Sequence, residues 1–304
     1  MVNSMTNRIC TLFVAPVLLA SSALWAQATV SSITRQLQGL SGPSGPPMPG
    51  AAPASTGVPD AQRPAAILQI AKDIDTLPAG PPKLKLAVSL TQIATAGEVG
   101  REPLQAAADT LAQAVSEAPQ QPGKDGLPPL PYMDLAKLAR YAEIVTSCKD
   151  PQLTRAGEIL ATNEADVAKA DFTLKDVNGK KVTLSALRGK IVLVNFWSTD
   201  CMSCRKEMQD LDLIYTHYEP HGLVVLSLTS ENPFIVNNAM SPRGYHPPVL
   251  FDDGGKVGKQ FHIDGLPRTF VFDREGKLVG ESIDMCTQRQ FFAMLARAGL
   301  QPAK

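Results

Sequence analysis

An excess of charge of one sign is missing from this chain. Its 304 residues carry 29 Lys and Arg against 29 Asp and Glu. That balance excludes a strongly basic protein that holds nucleic acid by bulk charge. Charge of either sign is also sparse, at 19% of residues, while 44% are hydrophobic; disordered chains have the opposite bias. Five cysteines are too few for a disulfide-dense mini-scaffold, so a packed core must supply most of the stability. No apolar run after the first 28 residues is long enough to span a bilayer. Only one CxxC is present, and His217, His221, His246 and His262 are scattered, so neither a metal nor a cofactor is expected.

The one long apolar run lies at the start. Arg8 is the only charge before Ile9–Leu24, and Ala26-Gln27-Ala28 supplies small residues for a signal peptidase. Residues 1–28 therefore read as a signal peptide whose cleavage leaves Thr29 first, with an uncleaved N-terminal anchor as the alternative. Cys10 precedes most of the apolar run, which argues against lipid anchoring. The expected product is soluble and periplasmic or otherwise exported, in a compartment where disulfides persist.

Proline is abundant but uneven. Residues 41–64 hold seven prolines and four glycines, so 29–64 is predicted to be a Pro/Gly-rich linker. From 65 to 165 alanine and leucine dominate. Stripes such as Ile67, Ile70, Ala71, Ile74 and Leu104, Ala108, Leu111, Val115 predict a small all-α module of four or five helices, without a recognisable motif. From 166 to 304 strand and helix patterns alternate. Asn178-Gly179 marks a hairpin turn, and Lys190–Trp197 reads as a strand buried on both faces. The fold class is α/β: a central mixed sheet flanked by helices, preceded by the helical module.

Cys201-Met202-Ser203-Cys204 follows that buried strand and opens a helix. Unsatisfied amides and the positive end of the helix dipole favour a thiolate there. A thiolate is the nucleophile of disulfide exchange, and two intervening residues let the second sulfur reach the first. Cys201, at the tip, is expected to attack, and Cys204, one turn in, to resolve. Asp200 is a candidate helix cap that would oppose ionisation of Cys201, with Arg205 and Lys206 offsetting it. Cys148 and Cys286 remain as a candidate structural disulfide between the two regions, with free thiols or a resolving role for Cys286 as alternatives.

Asp171-Phe172-Thr173-Leu174, Leu187-Arg188-Gly189-Lys190, Val194-Asn195-Phe196-Trp197, Cys201-x-x-Cys204-Arg205-Lys206-Glu207 and Gly265-Leu266-Pro267-Arg268-Thr269-Phe270 stand in this order. In them the chain resembles the TlpA/ResA kind of thioredoxin-like thiol–disulfide oxidoreductase, over about residues 166–304. The resemblance implies a redox-active Cys201–Cys204 disulfide and a cis-proline at Pro267 that helps bind the substrate polypeptide. It also implies a carboxylate at Glu207 that tunes thiol protonation and an aromatic at Trp197 that shields the site. Read alone, Glu207 is a solvated helix residue. Asn195 stands where thioredoxin itself has a buried aspartate, which leaves Glu207 as the nearer proton acceptor. Arg268 adds a charge beside the site, where it could select acidic substrates. The implied partners are protein thiols or disulfides, such as cytochrome-maturation or copper-centre proteins, and an upstream redox partner.

Two other functions compete. A peroxiredoxin-type peroxidase wants Pro and Thr seven and three residues before its cysteine, where this chain has Val194 and Ser198. A copper-delivery protein of the related kind wants CxxxC with a distant histidine, and here the spacer is two residues.

Overall fold

The computed structural model describes residues 29–40, 58–240 and 244–301. The predicted signal peptide with Cys10, and residues 41–57 of the proline-rich stretch, lie outside the described residues.

Residues 29–40 are helical (α1). Five further helices follow: α2 (Arg63–Asp75), α3 (Pro81–Thr95), α4 (Arg101–Glu117), α5 (Leu130–Tyr141) and α6 (Pro151–Val167). Proline at the first turn of α2, α3, α5 and α6 suits the place where a missing N–H costs nothing. The Asp150 side chain caps α6 by accepting from the amide of Gln152. α5 stops at Tyr141; Glu143 then takes a positive φ of 55°, which turns Val145 out to solvent and Ile144 inward. These helices share one core that includes Ile67, Leu90, Leu111, Tyr132, Leu138 and Ala156.

The linker expected over 29–64 needs correction at both ends. Ile33, Leu37 and Leu40 of α1 are buried in that same core. Buried Arg63 donates from Nη1 to the Leu40 carbonyl at 2.5 Å, which occupies an otherwise orphaned acceptor at the end of α1. Val30, Ile33, Leu37 and Leu40 have helical spacing, but the proline content of the residues after them obscured it.

The second region is a seven-stranded mixed sheet in the order β2-β1-β5-β4-β3-β6-β7. Its strands are β1 (Thr173–Asp176), β2 (Lys181–Thr183), β3 (Ile191–Phe196), β4 (Leu223–Thr229), β5 (Val249–Phe251), β6 (Arg268–Phe272) and β7 (Leu278–Glu281). β3 runs parallel to β4 and antiparallel to β6, which makes it central and buried throughout. Its side chains alternate between two cores. Ile191 and Leu193 pack with α7 (Met202–Tyr218) and α10 (Gln288–Arg297), while Val192, Val194 and Phe196 join a phenylalanine-rich layer. In that layer Phe261 meets Phe196 and Phe270 with ring centroids 5.3 and 5.2 Å apart. Two short helices, α8 (Pro233–Met240) and α9 (Lys256–Gln260), complete the region. The predicted hairpin forms between β1 and β2: Gly179 supplies φ 78°, and Asp176 accepts from the amides of Asn178 and Lys180. Among the described residues no helix is long and apolar enough to cross a membrane.

Candidate redox site

β3 delivers the chain to the site. Beyond Phe196, the Trp197 amide still donates to Leu228 of β4, and then the chain leaves the sheet. Residues 198–200 form the approach to the cysteines. Thr199 donates from both its amide and its hydroxyl to the Glu231 carboxylate, each at 2.6 Å. Glu231, just before α8, thus fixes the approach loop. No sequence signal marked it, because its partner lies 32 residues away.

Cys201 occupies the N-cap of α7, and its Sγ accepts from the Cys204 amide at 3.1 Å. The sulfur therefore sits where orphaned helix amides point. Asp200 does not cap the helix as expected; its carboxylate accepts from Ser198 instead. Cys201 and Cys204 are joined as a disulfide. Cys201 is partly exposed and Cys204 fully buried, so an incoming sulfur can reach only the first. Met202, between them, is 63% exposed.

Glu207 is fully buried, contrary to its reading as a solvated helix residue. It shares the inner face of α7 with Cys204, Met208 and Leu211, at spacings of three, four and seven, a stripe visible in the sequence. Asn195 Nδ2 donates to its Oε1 at 2.8 Å, Thr269 Oγ1 donates to the same oxygen at 3.2 Å, and the Cys286 amide donates to Oε2 at 2.7 Å. Burial raises the Glu207 pKa to about 8 despite these donors. A carboxyl so poised can hold or release a proton near neutral pH.

Trp197 is buried against Cys204, Met208 and Val236, in a small cluster that also touches Cys201. The Leu266–Pro267 peptide is cis. Because Phe196 pairs with Arg268 across β3 and β6, Pro267 lies one step beyond the last rung, level with Trp197. Leu266 beside it is 40% exposed.

Two further expectations fail. Arg268 is buried and engaged elsewhere: it pairs with Glu281 of β7 at 2.5 Å and donates to the Ile283 carbonyl at 3.0 Å. It is thus committed within the fold and not free to meet acidic substrates. Cys148 and Cys286 do not pair either. Both are buried free thiols, Cys148 in the core of the helical region and Cys286 in the core between sheet, α7 and α10. Burial, reinforced by the Glu207 and Asp284 carboxylates, pushes the Cys286 thiol well up and keeps it neutral. Among the described residues no three His, Cys, Asp or Glu side chains are grouped to hold a metal ion.

Comparison with known proteins finds relatives of the second region. Residues 166–280 match the model of the AhpC/TSA family. The chain is 34% identical over 128 residues to the thiol-disulfide oxidoreductase ResA of Bacillus thuringiensis (strain Al Hakam), covering 42% of this chain and 74% of that one. It is 36% identical over 110 residues to the ResA of Bacillus subtilis (strain 168), covering 36% of this chain and 62% of the other. A solved exposed lipoprotein thioredoxin of Streptococcus pneumoniae strain TIGR4 is 29% identical, covering 42% of this chain and 98% of that one, with a TM-score of 0.39. A sheet that presents a half-exposed and a buried cysteine at the head of one helix, together with this length of shared sequence, establishes that the chain belongs to the ResA family of thiol–disulfide oxidoreductases.

Proposed function

We propose that this oxidoreductase is exported and exchanges disulfides with partner proteins through Cys201 and Cys204. The observation that carries the reading is the asymmetry of the pair: Cys201 partly open at the N-cap of α7, Cys204 sealed beneath it and three residues from buried Glu207. In the reduced enzyme the Cys201 thiolate attacks one sulfur of a partner disulfide. A mixed disulfide forms and the other partner sulfur leaves as a thiolate. Cys204 then gives its proton to Glu207 and attacks the Cys201 sulfur. The second partner thiolate is released, two electrons have passed to the partner, and the Cys201–Cys204 disulfide has formed. An upstream dithiol restores the reduced state. Trp197 and the Pro267 loop flank the disulfide as the polypeptide-binding rim.

Export rests on the signal-like residues 1–28. Cytochrome-maturation or copper-centre proteins fit as partners because both need cysteines kept reduced outside the cytoplasm. Residues 65–165, extended by α1, are assigned as a separate helical module and 166–304 as the redox domain. The match to the AhpC/TSA family favours one second reading, thiol peroxidase activity. Against it, Val194 and Ser198 stand where that chemistry wants proline and threonine, and Val194 is enclosed within β3.

The decisive experiment is trapping. A Cys204→Ser variant should accumulate mixed disulfides at Cys201 in the exported fraction, and mass spectrometry identifies what is attached. Absence of adducts, with peroxide consumed at Cys201 instead, overturns the exchange reading.

A further inference from the structure

Both ends of the cis-proline loop meet the same helix of the N-terminal region. At the leading end, Lys137 Nζ of α5 pairs with Asp264 Oδ2 at 2.5 Å. At the trailing end, the Arg268 guanidinium lies 5.8 Å from the ring centroid of Tyr141, also on α5. Lys137 and Tyr141 are four residues apart and so share one face of the helix. The sheet holds the loop only from Arg268 onward, where β6 pairs with β3; residues 264–267 belong to no strand. Gly265 adds backbone freedom at the point where the loop most needs fixing. Between α3, α5 and the loop lies a cavity of about 310 Å³, lined by Thr91, Asp134, Leu266, Pro267 and Asp284 among others.

We infer that α5 braces the cis-proline loop for partner polypeptides, with Lys137 as the positioning residue. The inference rests on the reading of that loop as the polypeptide-binding rim. Lys137 is buried, so its ammonium has little water to fall back on, and Asp264 gives it a hydrogen-bonded counter-charge. Burial alone would raise the Asp264 carboxyl, but Lys137 overrides it and holds the group below its ordinary range. The loop end is therefore pinned as an anion to a fixed cation on a rigid helix. A partner backbone that docks on Leu266 and Pro267 then meets a loop already ordered, and binding need not order it. The small dithiols that reduce Cys201–Cys204 make no use of the rim. The helical region thereby acquires a role in the reaction without touching the disulfide.

The test compares a protein substrate with a small one. Lys137→Met should lower kcat/KM for insulin-disulfide reduction about tenfold, mainly through KM. Reduction of Cys201–Cys204 by dithiothreitol and its midpoint potential against glutathione should stay at the parent values. Lys137→Arg should recover part of the loss. Asp264→Asn, on a half-exposed loop residue whose replacement spares the helical core, should reproduce it, and the double variant should be no worse than Lys137→Met. Unchanged insulin kinetics in both single variants, or an equal loss with dithiothreitol, overturns the inference. A parent protein that reduces no insulin, and whose Cys204→Ser variant traps no mixed disulfides, would instead overturn the proposed function beneath it.

Discussion

Asn195 of β3 donates from Nδ2 to Glu207 Oε1 of α7 at 2.8 Å, in a layer that neither side chain shares with water. The pair joins the strand that leads into the cysteines to the helix that leaves them. An amide at this strand position brings no second carboxyl against Glu207 from β3. Thr269 and the Cys286 amide complete the cage from β6 and from the segment before α10.

Stability should therefore depend on pH through Glu207. Its folded pKa of about 8 lies above the ordinary 4.5 because of desolvation. Between those values the unfolded chain has released this proton while the native chain keeps it. The native state then binds more protons, so stability falls as pH rises through the window and levels off above it. The loss is on the order of a few kcal/mol. Urea denaturation of the oxidised protein at pH 5 and pH 8 measures it, and Glu207→Gln should show much less of the decline. An equal decline in both proteins assigns the titration to another group.

The same proton should appear in the kinetics. A carboxylate ready to accept the Cys204 proton is populated only as pH passes about 8. Resolution of the mixed disulfide should accelerate through that range. Glu207→Gln should lack this limb and resolve about 10²-fold more slowly. Quenched-flow measurement of mixed-disulfide decay against pH separates the outcomes, and an unshifted profile removes Glu207 from the mechanism.

Arg268 should matter for stability and not for charge selection. Its partner Glu281 is only 9% exposed, so Arg268→Ala leaves a buried carboxyl without its cation. Loss of one member of such a pair costs about 3–5 kcal/mol. Denaturant titration should show that loss. Relative rates with acidic and basic disulfide peptides should stay at the parent ratio, and a changed ratio would falsify the buried placement.

Much of the sheet was legible because its signals are local. The five apolar side chains of β3, the Asn178-Gly179 turn and the cysteines at a helix start each stand within a few residues. Arg268 misled because charge next to a candidate site proline suggests exposure. Its partner is 13 residues on and is reached only through the β6–β7 pairing. Lys137 gave no sign at all, since its contact spans 127 residues. α1 was hidden differently: its apolar stripe is short and abuts the proline-rich stretch, so composition outweighed periodicity.

Removal of one α1 anchor should expose the error of that linker reading. Ile33 is 1% exposed and packs in the core shared by α2–α6. Truncation of such a side chain costs about 2–5 kcal/mol through lost burial and the cavity left behind. Ile33→Ala should lower the denaturation midpoint accordingly, whereas a substitution in a true linker leaves it in place.

The two unpaired cysteines supply the simplest check. With Cys201 and Cys204 oxidised, a protein beginning at Thr29 holds two thiols, at Cys148 and Cys286. Both are buried, and the neutral Cys286 thiol is a poor nucleophile, so the native protein should react with Ellman's reagent very slowly. Unfolding in guanidinium without reductant should release both at once. A count of two agrees with separate cores for the two sulfurs, and a count of zero means that a bridge ties the helical region to the sheet. Iodoacetamide peptide mapping assigns any intermediate count, since Cys286 alone reacting natively would show that the segment before α10 opens and that the cage around Glu207 opens with it.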